Sequence, residues 1–166
     1  MRPHHAKTNV ARLLEEAGVP HRILEYDVSD GLLDARSCAR KLGVPEERMF
    51  KTLVAVAPGP LYRVFVVPAP ATLDLKKAAK AASVKSIEMI PQKQLMPLTG
   101  YVHGGCSPVG MKKPFPTFID DTAILHEVVC VSAGRIGASV AIAPEALAEF
   151  LHASFADLVR EEGGGR

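Results

Sequence analysis

Four glycines and a proline fall within the eleven residues Gly100-Tyr101-Val102-His103-Gly104-Gly105-Cys106-Ser107-Pro108-Val109-Gly110. Glycine lets a backbone come close to a ligand, and such a run can aim unshielded N–H groups at an anionic or carbonyl oxygen. Glycine and proline also punctuate ordinary turns, so the run alone leaves both readings open. Lys51 opens the apolar run Lys51-Thr52-Leu53-Val54-Ala55-Val56-Ala57, where a charged side chain is costly unless it reaches solvent or an anionic partner. It is either a strand-end lysine extending to water or a cation set to hold a phosphate or polarise a carbonyl. Tyr26 could pack in the core or wall a pocket with its hydroxyl.

Much standard catalytic machinery is missing. No Ser-His-Asp or Cys-His arrangement follows from spacing, and neither an HExxH motif nor a Walker-type glycine-lysine run occurs. The histidines, His4, His5, His21, His103, His126 and His152, are scattered, and only His103 lies in the glycine run. Cys38, Cys106 and Cys130 are odd in number and widely separated, which fits neither a disulfide framework nor a CxxC metal site. They read as reduced thiols, at least two of them buried, and no metal or cofactor is expected. The formal net charge is +2, so the chain as a whole is no sponge for polyanions. Lysines gather at Lys76, Lys77, Lys80, Lys85 and Lys93, and again at Lys112 and Lys113 after the glycine run. They form a solvated helix face or a basic rim able to hold phosphates.

The elements that must position these residues interleave. At 166 residues and 48% hydrophobic, the chain is sized for one core, so a single domain over residues 1–158 is expected, with 159–166 as a frayed tail. No apolar run is long enough to span a bilayer and the N-terminus lacks a secretory segment, which predicts a cytoplasmic protein. Helical spacing follows Thr8, and a short strand covers residues 22–26. Asp34 and Gly43 bracket a second helix. Residues 51–57 and 62–67, joined by Pro58-Gly59-Pro60, predict a β-hairpin. A helix is expected over 72–82, a strand over 87–90, and a short helix from Pro91 to before Gly100. Strands at 117–119, 127–132 and 139–142 precede a last amphipathic helix carrying Leu147, Phe150, Leu151, Phe155 and Leu158 on one face. The fold class is mixed α/β.

Five segments in order carry a resemblance: Met49-Phe50-Lys51-Thr52-Leu53-Val54, Leu73-Asp74-Leu75-Lys76-Lys77-Ala78-Ala79, the glycine run, Pro116-Thr117-Phe118-Ile119-Asp120, and Val131-Ser132-Ala133-Gly134. Together they resemble successive blocks of the YbaK/EbsC family, which includes the editing insertion domain of bacterial prolyl-tRNA synthetase. The resemblance runs from about Thr8 to about Leu158 and implies a mixed, partly closed, barrel-like β-sheet with surrounding helices. It also implies hydrolysis of a mischarged aminoacyl ester in trans, with the acceptor end of tRNA(Pro) as partner and prolyl-tRNA synthetase as a second candidate partner. The chain is most similar to free-standing members that clear cysteine from proline tRNA, whose substrate thiol is thought to attack the ester itself. Relatives act on alanine attached to the same tRNA, and a non-catalytic module binding aminoacyl-tRNA or a synthetase is a further alternative.

The resemblance assigns Lys51 as the essential lysine, and Gly104 and Gly105 as part of the carbonyl-holding loop that runs to Ser107 and Pro108. Tyr26, Thr52, Ser132 and Ser139 are the implied substrate contacts. Two positions depart from the family pattern. Ser139 stands where close relatives carry an acidic residue, and Ile136 stands where they carry a basic one.

Overall fold

The computed structural model describes residues 7–161. Local signals set the first elements. Thr8 caps α1 (Asn9–Glu16) by accepting from the Ala11 N–H, and Val10, Ala11 and Leu14 are buried. After β1 (His21–Glu25), Asp34 caps α2 (Ala35–Leu42), and Gly43, at φ 70°, closes it in a left-handed conformation that glycine adopts without strain. The predicted hairpin is β2 (Phe50–Ala57) with β3 (Leu61–Pro68), registered from Phe50 opposite Pro68 to Ala57 opposite Leu61. Asp74 caps α3 (Leu75–Ala81), and the strand expected over 87–90 shortens to β4 (Glu88–Met89). A single 3-10 turn leads into α4 (Leu95–Thr99), which Gly100 ends. The remaining elements are β5 (Thr117–Asp120), β6 (Val129–Arg135), β7 (Ala138–Ile142), α5 (Pro144–Leu151) and β8 (Ser154–Ala156).

The mixed α/β class holds, with the strands divided between two open sheets rather than one partly closed sheet. One has the order β1-β7-β6 and the other β4-β2-β3-β5-β8. Strand alternation assigns their faces. Phe50, Val54, Val64, Val66, Val129, Val131, Ala133, Val140 and Ile142 share one core with α1 and α5 residues. Phe65, Val67, Ala55 and Ala57 turn to a second core under α3. Ala141 and Cys130 join Cys38 and Ala39 of α2 in a third. The sheets touch through a parallel bridge between Met49 and Cys130. The Met49 carbonyl also accepts from the Ala69 N–H at 2.7 Å, and β2 pairs with β4 only at Ala55 and Val56. The edge of β2 just beyond Met49 therefore parts from β6, and the sheets open there.

The last predicted helix is shorter than expected. His152 takes a left-handed φ of 54°, which ends α5 at Leu151, and Ser154–Ala156 pairs in parallel with β5 as β8. Phe155 and Leu158 are still apolar anchors, but strand spacing delivers them, and Leu158 is fully buried in the core under α3. Of the tail expected from residue 159, Val159 bridges Leu73 and the Arg160 N–H donates to Thr72 O at 2.9 Å. Residues 1–6 and 162–166 lie outside the described residues.

Asp120 fixes this end of the molecule. Its fully buried carboxylate accepts from the Leu158 N–H at 2.9 Å, from the Thr122 N–H at 3.3 Å and from the Thr122 hydroxyl. Asp120→Ala leaves two N–H groups without their acceptor, and the expected loss of stability is about 2–4 kcal/mol. A urea midpoint within error of wild type would show that Asp120 does not anchor the C-terminal strand.

Candidate active site

Where β2 and β6 part, a cleft of about 350 Å³ opens. Phe50, Lys51, Thr52 and Leu53 contribute one strand to it, and Cys130, Val131, Ser132, Ala138 and Ser139 contribute the β6–β7 ribbon. Tyr26, Leu33, Ala35 and Cys38 close a third side, and Leu95, His103, Gly104 and Cys106 a fourth. The first residues past the bridge line the cleft because the ladder that would fill the gap stops at Met49.

Six of the nine residues singled out from the sequence meet here: Lys51, Gly104, Tyr26, Thr52, Ser132 and Ser139. Ser132 and Ser139 are direct partners across β6 and β7. Ser132 Oγ accepts from the Gly134 N–H at 3.1 Å, which leaves its own proton to donate. Thr52 Oγ1 is buried with no hydrogen-bond partner among the described residues, an arrangement that costs about 1–3 kcal/mol.

The other three residues are placed elsewhere. Gly105, Ser107 and Pro108 do not line the cleft; they are buried behind it and brace the loop. The Gly105 N–H donates to Val102 O at 3.0 Å, and Ser107 Oγ accepts from the Val109 N–H at 3.2 Å. A Cβ on Gly105 would fall 3.2 Å from the backbone N of Ile136 and 3.3 Å from Arg135 Cα, so a side chain here would crowd the β6–β7 turn. The Tyr101 hydroxyl donates to Val109 O and closes the loop from the other side. Ile136 packs over Gly104, with 3.7 Å separating its side chain from the position a Cβ would take.

Sequence reasoning missed the clustering of thiols. Cys38, Cys106 and Cys130 are all buried and all line this one cleft. A signal existed for Cys130, which lies two residues before Ser132 and so on the same face of β6. Burial pushes the Cys106 thiol up to about 11, against a smaller lowering by the Thr99 hydrogen bond, and burial also raises Cys130. Both stay protonated at neutral pH, the reverse of an activated nucleophile. Burial raises Tyr26 as well, with a smaller contribution from the Cys38 thiol beside it.

Lys51 is the charge in this setting. It is half-buried, burial lowers its pKa, and no carboxylate or other acceptor among the described residues pairs with it. No Asp or Glu lines the cleft, and the described residues contain no cluster of metal-binding side chains. The cleft therefore offers one desolvated cation, several hydroxyls, His103 and the neutral thiols of Cys106 and Cys130. Such a set can bind and polarise an ester, and it lacks a base-activated nucleophile of its own.

The fold and the cleft together define the class, an aminoacyl-tRNA editing domain that acts as a deacylase. Residues 30–150 match the family model described as the aminoacyl-tRNA editing domain, and the chain belongs to that family. It is 43% identical over 158 residues to a protein of Enterococcus faecalis described as "Putative Cys-tRNA(Pro)/Cys-tRNA(Cys) deacylase EbsC", covering 94% of this chain and 95% of the relative. Its fold is also similar to a solved structure described as "a putative trans-editing enzyme for prolyl tRNA synthetase". The TM-score is 0.83 at 25% identity, covering 94% of this chain and 100% of the other. The resemblance to the YbaK/EbsC family is thereby borne out. Among the described residues no helix is long and apolar enough to cross a membrane.

Proposed function

We propose that the protein deacylates Cys-tRNA(Pro) in trans, holding the charged 3′ end in this cleft while the cysteinyl thiol attacks its own ester carbonyl. The observation that carries the reading is the half-buried, unpaired Lys51 in a cleft with no activated protein nucleophile. In this reaction the substrate sulfur bonds to the carbonyl carbon and the ester C–O bond breaks. The thiol proton passes to the departing ribose oxygen, and water then opens the cyclic thioester to free cysteine. The substrate already tethers its own nucleophile, so the protein contributes the orientational part of the roughly 7–11 kcal/mol that well-oriented systems reach.

The roles follow from position. Lys51 neutralises negative charge at the ester and its flanking phosphate. Gly104 and Cys106, whose N–H groups bond no other described residue, supply the loop's donors to the carbonyl oxygen, in place of the Gly105 N–H that the resemblance implied. The hydroxyls of Thr52, Tyr26, Ser132 and Ser139 meet the polar groups of the aminoacyl moiety. With Ser139 in place of a carboxylate, the α-amino group is held by neutral oxygens. The E. faecalis relative's description adds Cys-tRNA(Cys) to the substrates worth testing.

Purified protein incubated with labelled Cys-tRNA(Pro), Ala-tRNA(Pro) and S-methylcysteinyl-tRNA(Pro) tests the proposal. Only the first should be cleaved well. Equal cleavage of the alanyl or S-methyl ester would sink the thiol-assisted route, and no cleavage of any would sink the enzyme reading.

A pH profile gives a second test. Because burial lowers the Lys51 pKa, its ammonium is lost at a lower pH than that of a free lysine. The active form is protonated, so the rate, corrected for spontaneous hydrolysis, should fall as pH rises through that lowered value. Lys51→Arg, charged throughout, should remove this alkaline limb at a reduced overall rate. An unchanged limb in the arginine variant would assign it to another group.

A further inference from the structure

We propose that the strip formed by residues 89–119 is the RNA-facing lip of the cleft, with Lys93, Lys112 and Lys113 contacting phosphates of the acceptor strand. This rests on the reading of the cleft as an aminoacyl-tRNA site. From Met89 to Ile119 the chain carries no Asp, Glu or Arg, while it holds those three lysines and His103. The same strip supplies Leu95, His103, Gly104 and Cys106 to the cleft wall.

The lysines gather around α4. Lys93 lies in the 3-10 turn just before Leu95. The Lys112 N–H donates to Thr99 O at 3.1 Å, and its side chain lies over Gly100 and reaches Pro97 O at 3.5 Å. Lys113 follows directly. All three are exposed, and none forms an ion pair with a described carboxylate. Met96 and Val102, 45% and 46% exposed, place apolar surface on the same strip, against which an unpaired base can lie.

The segment across the cleft is acidic in sequence, and two of its four carboxylates are paired, Glu25 with Arg135 at 3.2 Å and Asp30 with Lys41 at 2.8 Å, leaving Asp27 and Asp34 without a cationic partner among the described residues. Residues 25–34 carry Glu25, Asp27, Asp30 and Asp34 with no lysine or arginine among them, and they supply Tyr26 and Leu33 to the cleft. The β6–β7 turn separates the two segments: Gly137 faces Val28, the Tyr26 backbone and the Arg135 guanidinium that pairs with Glu25, and Ile136 faces Gly104. A substrate with a cationic amino end and a polyanionic tail is thereby oriented, its tail over the lysines and away from the carboxylates. The overall charge of +2 hides this division, because the strip and the acidic segment largely cancel.

The test compares Lys93→Glu/Lys112→Glu/Lys113→Glu with an equal charge reversal on and after α3, Lys76→Glu/Lys80→Glu/Lys85→Glu, a region that does not line the cleft. Binding of uncharged tRNA(Pro) is measured across a salt series, alongside deacylation kinetics and hydrolysis of a small cysteine ester. The lip variant should weaken tRNA binding at least about tenfold near 0.1 M salt and flatten the log–log salt slope by about 2, since single-stranded contacts contribute about 0.7 each. Its hydrolysis of the small ester should match wild type, and the α3 variant should bind within about threefold of wild type. Equal weakening by the two variants, or a lip variant with wild-type affinity and slope, overturns the proposal. If wild type cleaves no aminoacyl-tRNA, the enzymatic reading fails and the binding comparison still decides the lip.

Discussion

Lys51→Ala is expected to lower kcat/KM for Cys-tRNA(Pro) by about 10²–10³, the range for removing one preorganised charge-stabilising group from a desolvated site. The size follows from surroundings: among the described residues no other lysine or arginine lines the cleft to substitute for the missing ammonium. The effect on folding should have the opposite sign or be absent. Lys51 is half-buried without an acceptor, so the native state holds its charge at some cost, and removing it should leave the urea midpoint unchanged or slightly higher. This pairing of lost activity with retained stability separates a functional cation from a structural one. Single-turnover deacylation and urea unfolding of the same preparation measure both. Activity within about threefold of wild type would remove Lys51 from the chemistry, and a large fall in stability would make it a structural residue.

The structure also explains why some of this was legible in the sequence. Thr8, Asp34 and Gly43 work through side chains and dihedrals a few residues away, so the start of α1 and both ends of α2 could be read directly. The β2–β3 hairpin was equally local. The end of α5 was not, because Phe155 and Leu158 fit a helical face, and only pairing of Ser154–Ala156 with the distant β5 makes that segment a strand. The same holds for the cleft. It exists because backbone pairing between the two sheets is confined to the Met49–Cys130 bridge, a consequence of how two sheets meet that no window of sequence contains. For this reason the contiguous loop motif overstated its own contribution. Gly104 and Cys106 reach the cleft, whereas Gly105, Ser107 and Pro108 carry the packing that holds them there.

That division gives the second large effect. Gly105→Ala should lower deacylation about tenfold while costing about 1–3 kcal/mol of stability. Its cause is space rather than dihedral strain, since Gly105 is not among the residues with positive φ. The added methyl meets Ile136 N at 3.2 Å and Arg135 C and Cα at 3.3 Å, all backbone atoms of the β6–β7 turn. Neither side can yield locally: the turn is tied to Tyr26, whose N–H donates to Gly137 O at 3.0 Å, and the loop is tied by Gly105 to Val102. The loop must therefore shift by a few tenths of an ångström as a unit, moving the proposed Gly104 and Cys106 donors off the ester, and since a misplacement of about 1 Å can cost about 10²-fold, a loss of about tenfold is expected. Trimming the neighbouring side chain should not help, because the obstruction is main chain. Ile136→Ala combined with Gly105→Ala should be as inactive as Gly105→Ala alone. Recovery of activity in that double variant would show that the loop is positioned by the Ile136 side chain and that the close backbone approach is incidental.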